Sequence, residues 1–345
     1  MPNADLVLEG GGVKGLGLIG AVERFMHAGY TFQRVAGTSA GSILAAFVAA
    51  GIDTDALSSV MNRLDYRRVP DRGRPGLPMV SEAVSLLHDG GAYKGDYLRD
   101  FVHHELQKLG VTTFGDLRLS DPEADKNQQP YQQYKLVVMA TDITRGRLLR
   151  LPWDYPMLHL DPDEQLVADA VRASSSIPLF FDPVTISDGT TGEQRTLVDG
   201  GVLSSFPVEI FDRTDGAAPR WPTFGIKILP DLPGGSAQLL PNIALPALRV
   251  SQLLPAAHLL EQVVATAIVG HDQTYLERPC VSRRIISVDT SGIGIVEFDA
   301  SKKKREAIVA KGDAAAGQFL QGWSWDRYKK ECGGAPDASD RDGAT

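Results

Sequence analysis

Five small residues, Gly37-Thr38-Ser39-Ala40-Gly41, form a G-x-S-x-G. A serine in such a setting can be a nucleophile. A sharp strand-to-helix turn lifts its Oγ clear of the backbone, and bulky neighbours would collide in that turn. The flanks have the required character. Residues 32–36 are a short strand candidate, and residues 42–50 (SILAAFVAA) are apolar nearly all round, as a buried helix must be. The N-terminus of that helix would point free N–H groups at the serine.

A second run, Gly10-Gly11-Gly12-Val13-Lys14-Gly15, follows a strand candidate at residues 5–9. It precedes residues 16–27, whose apolar positions Leu18, Ile19, Val22, Phe25 and Met26 fall at helical spacing before Gly29. Glycines let backbone N–H groups turn into an anion-binding hollow, suited to a phosphate or to the oxyanion of acyl transfer. The run also satisfies G-x-G-x-x-G at Gly10, Gly12 and Gly15, so a dinucleotide fold competes. That fold wants an acidic residue about 20 positions on, where this chain has Gln33-Arg34-Val35-Ala36. A third run, Leu197-Val198-Asp199-Gly200-Gly201-Val202, ends a strand candidate on an acid. Alone it reads as an Asx-turn. Beside Ser39 it offers the base that a nucleophilic serine needs. The alternative base is a histidine. His258 and His271 follow Asp199 in the order of a Ser–Asp–His hydrolase, but both fall in a helical stretch over 245–276, kinked near Pro255.

These segments need a scaffold. Two strand–glycine turn–helix units in the first 50 residues argue for an α/β fold. Residues 135–141 (KLVVMAT) read as a buried strand, with further strands at 147–151, 180–186, 195–198, 223–229, 284–288 and 296–298. Helices are expected over 81–88, 96–109, 166–174 and 301–320, with loops at 67–78 and 89–95 and an exposed insertion over 120–133. No internal repeat or compositional break forces a second domain, although 345 residues would on average supply about two. One domain over 1–332 with a disordered tail over 333–345 is the expectation.

Composition excludes several classes. The chain is 43% hydrophobic and 23% charged, enough apolar material for a large core and too much for a disordered chain. A net charge of −8 argues against general nucleic-acid binding. Cys280 and Cys332 are too few for a disulfide framework and suggest a reducing compartment. No leader or spanning segment is read, so the expected location is cytoplasmic. No carboxylate cluster resembles a calcium loop, and neither metal nor cofactor is expected.

Together, the glycine loop, the serine turn and the aspartate run resemble the bacterial patatin-like phospholipases, a family of lipid acyl hydrolases. The family pattern is G-G-G-x-[KR]-G, then G-x-S-x-G, then D-G-[GA], in this order. A fourth family block, small residues ending in proline, resembles Ala173-Ser174-Ser175-Ser176-Ile177-Pro178. The resemblance spans residues 6–320 and is weaker over 229–284. It implies a three-layer α/β/α sandwich around a central, mostly parallel sheet. It implies a Ser–Asp dyad without histidine, with Ser39 as nucleophile and Asp199 as base, flanked by Gly37, Gly41, Gly200 and Gly201. The N–H groups of Gly11, Gly12 and Val13 would form the oxyanion hole, and Lys14 would steady the loop or meet a lipid phosphate. A carboxylate with a free pKa of about 3.9 is a weak base; desolvation would raise it. The substrate would be a lipid ester. A peripheral membrane contact through Arg67, Arg68, Arg72 and Arg74 beside Val69, Leu77 and Met79 is weighed against a merely solvated loop. An acyltransferase using the same serine and a non-catalytic nucleotide- or lipid-binding module are the alternatives.

Overall fold

A strand apolar on both faces must be covered on both faces, and the first strand, β1 (Asn3–Leu8), is buried from Ala4 onward. The computed structural model describes residues 1–71, 90–121, 123–129, 132–228, 276 and 278–332. β1 leads through the glycine loop into α1 (Leu16–His27), β2 (Thr31–Thr38), α2 (Ala40–Ala49) and α3 (Thr54–Arg63). A short β3 (Gly91–Tyr93) precedes α4 (Asp96–Lys108), β4 (Leu136–Asp142), β5 (Arg147–Leu151) and α5 (Val167–Ser174). Then come β6 (Leu179–Phe181), β7 (Val184–Ser187), β8 (Gln194–Asp199) and β9 (Thr223–Lys227). The last described elements are α6 (Pro279–Ser282), β10 (Ile285–Ser287), α7 (Lys302–Gly322) and α8 (Trp325–Cys332).

The central sheet runs β10-β9-β1-β2-β4-β8-β7, with β5 also on β4. Its β10, β9, β1, β2 and β4 are mutually parallel, giving the largely parallel α/β sheet that the sequence implied. The order follows from burial. β4 is buried at every position and sits inside the sheet, whereas β7 alternates half-buried and exposed and lies at its edge. α2, apolar on all sides, is buried at every position from Gly41 to Ala49.

β4 carries three partners. β5 pairs along Val138 to Asp142 on one edge. On the other edge β2 runs parallel and stops with Thr38 opposite Met139. β8 runs antiparallel and stops with Asp199 opposite Ala140. The ends of β2 and β8 therefore meet head to head on one edge of β4, one residue apart in register.

Several local expectations change. The strand expected over 180–186 is two strands: Pro183, with no N–H to give a ladder, separates β6 from β7, and β6 pairs with β3 in a second sheet. The expected loop over 89–95 thus contains β3. Residues 296–298 are turns, because Glu297 folds back to accept the Gly294 N–H at 2.9 Å. α8 is a helix the sequence reading does not predict: Trp325, Tyr328 and Cys332 fall on one face of an otherwise charged segment, Trp325 stacks on Tyr328, and Trp323 packs beside that ring. The helices expected over 81–88 and 245–276, the histidines 258 and 271, arginines 72 and 74 and the tail over 333–345 fall outside the described residues, Leu276 excepted. No helix among the described residues is long and apolar enough to cross a membrane.

The cysteines also depart from expectation. Cys280 in α6 and Cys332 at the end of α8 form a disulfide, with Cα atoms 5.5 Å apart. The reducing compartment inferred from so few cysteines loses that support. The bond closes a sequence separation of 52 around α7. By loop-closure entropy, a loop of this size stabilises by about 2–4 kcal/mol. Denaturant unfolding with and without a thiol reductant should show a loss of that order, and Cys332→Ser should reproduce it. Equal stability of both forms would mean the bond constrains nothing.

Candidate active site

Ser39 stands between the last residue of β2 and the first of α2, with φ 51° and ψ −125°. A positive φ is costly for a residue with a Cβ and is kept only where surrounding contacts impose it. Those contacts are visible. The Ser39 N–H donates to Ser174 Oγ at 2.9 Å, and its carbonyl accepts from the Ser42 N–H at 2.9 Å and the Ser42 hydroxyl at 2.6 Å. The turn is also packed against β1: a Cβ on Gly41 would lie 2.3 Å from the Leu8 carbonyl oxygen. Gly37 lies within β2 beneath the same turn. Ser39 is buried but lines a cavity.

Asp199 ends β8 and opens a short 3-10 turn, Gly200–Val202. Its N–H donates to the Ser176 carbonyl at 2.9 Å, and its Oδ1 accepts from the Gly201 N–H at 2.8 Å. Oδ2 accepts no hydrogen bond of ordinary geometry among the described residues. Burial pushes this carboxyl up to about 7; the nearby Ser39 hydroxyl and the Gly201 N–H oppose the rise. A buried carboxylate with an idle oxygen beside a serine hydroxyl is poised to take a proton near neutral pH.

The fourth block links the two. Ser174 holds the Ser39 N–H and Ser176 holds the Asp199 N–H. Arg172, buried one turn earlier, donates to Ser176 Oγ at 2.5 Å and to the Asp182 carbonyl at 2.9 Å. Sequence reasoning placed this block without giving its residues a task. Arg172 could have been suspected as the one cation in a helix of mostly small residues.

The glycine loop behaves less uniformly than expected. Gly10 donates to the Ser205 carbonyl, and Gly15 precedes α1. Gly12 adopts φ +56°, in the left-handed region that suits glycine. The Val13 N–H, expected in the oxyanion hole, donates instead to the Ile295 carbonyl at 2.7 Å. The Gly11 and Gly12 N–H groups make no backbone hydrogen bond among the described residues and remain the available donors. Lys14 does not face the cavity as a phosphate contact would. Its buried ammonium donates to the Thr290 carbonyl at 3.2 Å and to Thr290 Oγ1 at 3.4 Å. Burial lowers its pKa, while Asp289, Glu297 and Glu9 favour its charge. Thr290 in turn donates to the Ile228 carbonyl at 2.5 Å. Lys14 therefore fastens the loop to residues 290–295, which no motif announced.

The cavity beside Ser39 measures about 60 Å³. Leu16, Ile43, Leu44, Leu64, Phe181 and Phe298 give it an apolar wall. Val69, read as an insertion residue of a surface loop, is buried and lines it too, while Arg68 stacks over the Tyr97 ring at 4.4 Å. The wall is apolar on every side of Ser39 except at Tyr66 and Ser175.

Comparison with known proteins agrees. The family model described as patatin-like phospholipase matches residues 6–212. The chain is 31% identical over 322 residues to the protein YqhO of Bacillus subtilis (strain 168), covering 93% of this chain and 99% of that one. It is 28% identical over 329 residues to the NTE family protein MT2641 of Mycobacterium tuberculosis, covering 92% of this chain and 46% of the relative. It thus spans about half the length of that mycobacterial protein. Among solved structures it is similar to VipD from Legionella pneumophila, with TM-score 0.49 and 17% identity over 92% of this chain and 67% of that one. It is also similar to ExoU of Pseudomonas aeruginosa in complex with SpcU, with TM-score 0.44 and 18% identity over 93% and 52%. With a family match over most of its length, around a serine turn, a glycine loop and an aspartate strand end, the chain belongs to the patatin-like phospholipase family.

Proposed function

We propose that the protein is a serine lipid acyl hydrolase working through a Ser39–Asp199 dyad. The observation that carries this reading is the idle Oδ2 of Asp199, on a carboxyl raised to about 7, beside a nucleophile turn that opens into an apolar cavity. Ser39 Oγ attacks the ester carbonyl while Asp199 takes its proton. The Gly11 and Gly12 N–H groups receive the developing oxyanion. Asp199 returns the proton to the departing alcohol, leaving an acyl-serine, which water hydrolyses with the same base. A peripheral membrane contact would deliver the substrate.

Ser39→Ala should fold as the parent does and lose at least about 10³-fold in turnover of carboxylic esters. The same variant should no longer be labelled by a fluorophosphonate. Retained turnover in the folded variant would remove Ser39 from the chemistry.

Asp199→Asn makes a signed prediction about stability. The folded-state pKa lies above the unfolded value, so protonation favours the native state. That contribution is complete below pH 4 and is lost as pH rises through about 7. The Asn variant carries no such loss. It should be inactive, yet more stable than the parent at pH 8 by about 1–4 kcal/mol, with the gap closing toward pH 4. Denaturant unfolding across that range measures it. A variant less stable than the parent at pH 8 would contradict the burial account.

A further inference from the structure

We propose that Ser175 Oγ binds substrate directly, donating a hydrogen bond to the ester oxygen of the acyl group held at Ser39. The identity of the ligand rests on the hydrolase reading; the burial of an unpartnered hydroxyl among the described residues does not. Three serines stand in a row at the end of α5. Ser174 Oγ accepts the Ser39 N–H. Ser176 Oγ donates to the Arg172 carbonyl at 2.9 Å and accepts from the Arg172 guanidinium. Ser175 Oγ is buried with no hydrogen-bond partner among the described residues, and the residue lines the cavity that Ser39 lines.

A buried hydroxyl without a partner destabilises the fold, and alanine in its place would be neutral or better. A ligand that brought an acceptor to this hydroxyl would complete it. The ligand must bring an acceptor to this spot. Apart from Ser39, Ser175 and Tyr66, the lining side chains are apolar, so they suit the hydrocarbon part of an acyl chain. The only polar group in the acyl half of such a substrate is the ester, and for cleavage it must lie at Ser39. Ser175 and Ser39 line the same cavity, so an ester held at Ser39 shares that space with this residue.

The test combines stability, turnover and binding. Ser175→Ala should melt at the parent's temperature or above it. Its kcat/KM on p-nitrophenyl butyrate should fall roughly 3–10-fold, the worth of one neutral hydrogen bond. In a Ser39→Ala background, adding Ser175→Ala should weaken binding of ethyl hexanoate, followed by NMR titration, by a similar factor. This last measurement needs no hydrolysis. If the parent cleaves no ester while the binding difference persists, the hydrolase reading fails and the Ser175 contact stands. A clear fall in melting temperature would reveal a structural partner for the hydroxyl and overturn the proposal. So would equal affinity in the two backgrounds, unchanged kcat/KM, or no binding to Ser39→Ala.

Discussion

One edge of β4 organises this molecule. β2 arrives parallel and ends opposite Met139; β8 arrives antiparallel and ends opposite Ala140. Two strands cannot occupy the same stretch of edge, so each must stop where the other begins. The residues that follow or close them, Ser39 and Asp199, come together without any loop having to carry them. A site built on strand ends inherits the stiffness of the sheet, which is what the proposed two-residue dyad would demand. A slip of one residue in either strand would turn its side chains to the opposite face.

Around this junction, burial does the electrostatic tuning. β4 is buried throughout, and Asp199 lies against it with little water. The same exclusion of solvent that makes the carboxyl a better base would make an ill-held one unstable. The fold holds it by three backbone links: the Ala140 register, the Ser176 carbonyl and the Gly201 N–H. The glycine loop is secured differently, from residues 290–295 through Lys14 and the Val13 N–H. Those residues lie beyond the stretch matched by the family model. The stretch of chain they belong to lies inside the loop closed by Cys280 and Cys332, so the disulfide embraces the element that steadies the glycine loop.

Much of this was legible in the sequence. A G-x-S-x-G, a glycine loop and a strand-end aspartate each have a local physical reason, and local reasons survive folding. α1 begins and ends where its spacing and following glycine predict. What escaped depended on distant partners. Nothing near Lys14 announces that its ammonium will be spent on Thr290, 276 residues away. Nothing near Val13 announces the Ile295 carbonyl, and nothing in Cys280 announces Cys332. Val69 looked like a surface residue because arginines surround it, but its neighbour Tyr66 is buried and Val69 turns in with it. The serine block was recognisable by family likeness, whereas its role as the bridge between Ser39 and Asp199 appears only when β8 is paired.

The central claim is that Asp199, buried at the strand junction, is the base that activates Ser39. The most direct measurement is the rate at which a fluorophosphonate labels Ser39 as pH is varied from 4 to 9. Asp199 must be ionised to accept the proton, so the account predicts a rate that rises with pH and levels off around a midpoint of about 7. In Asp199→Asn the rate should be low and flat. A midpoint near 4, or an Asn variant labelled as fast as the parent, would contradict it.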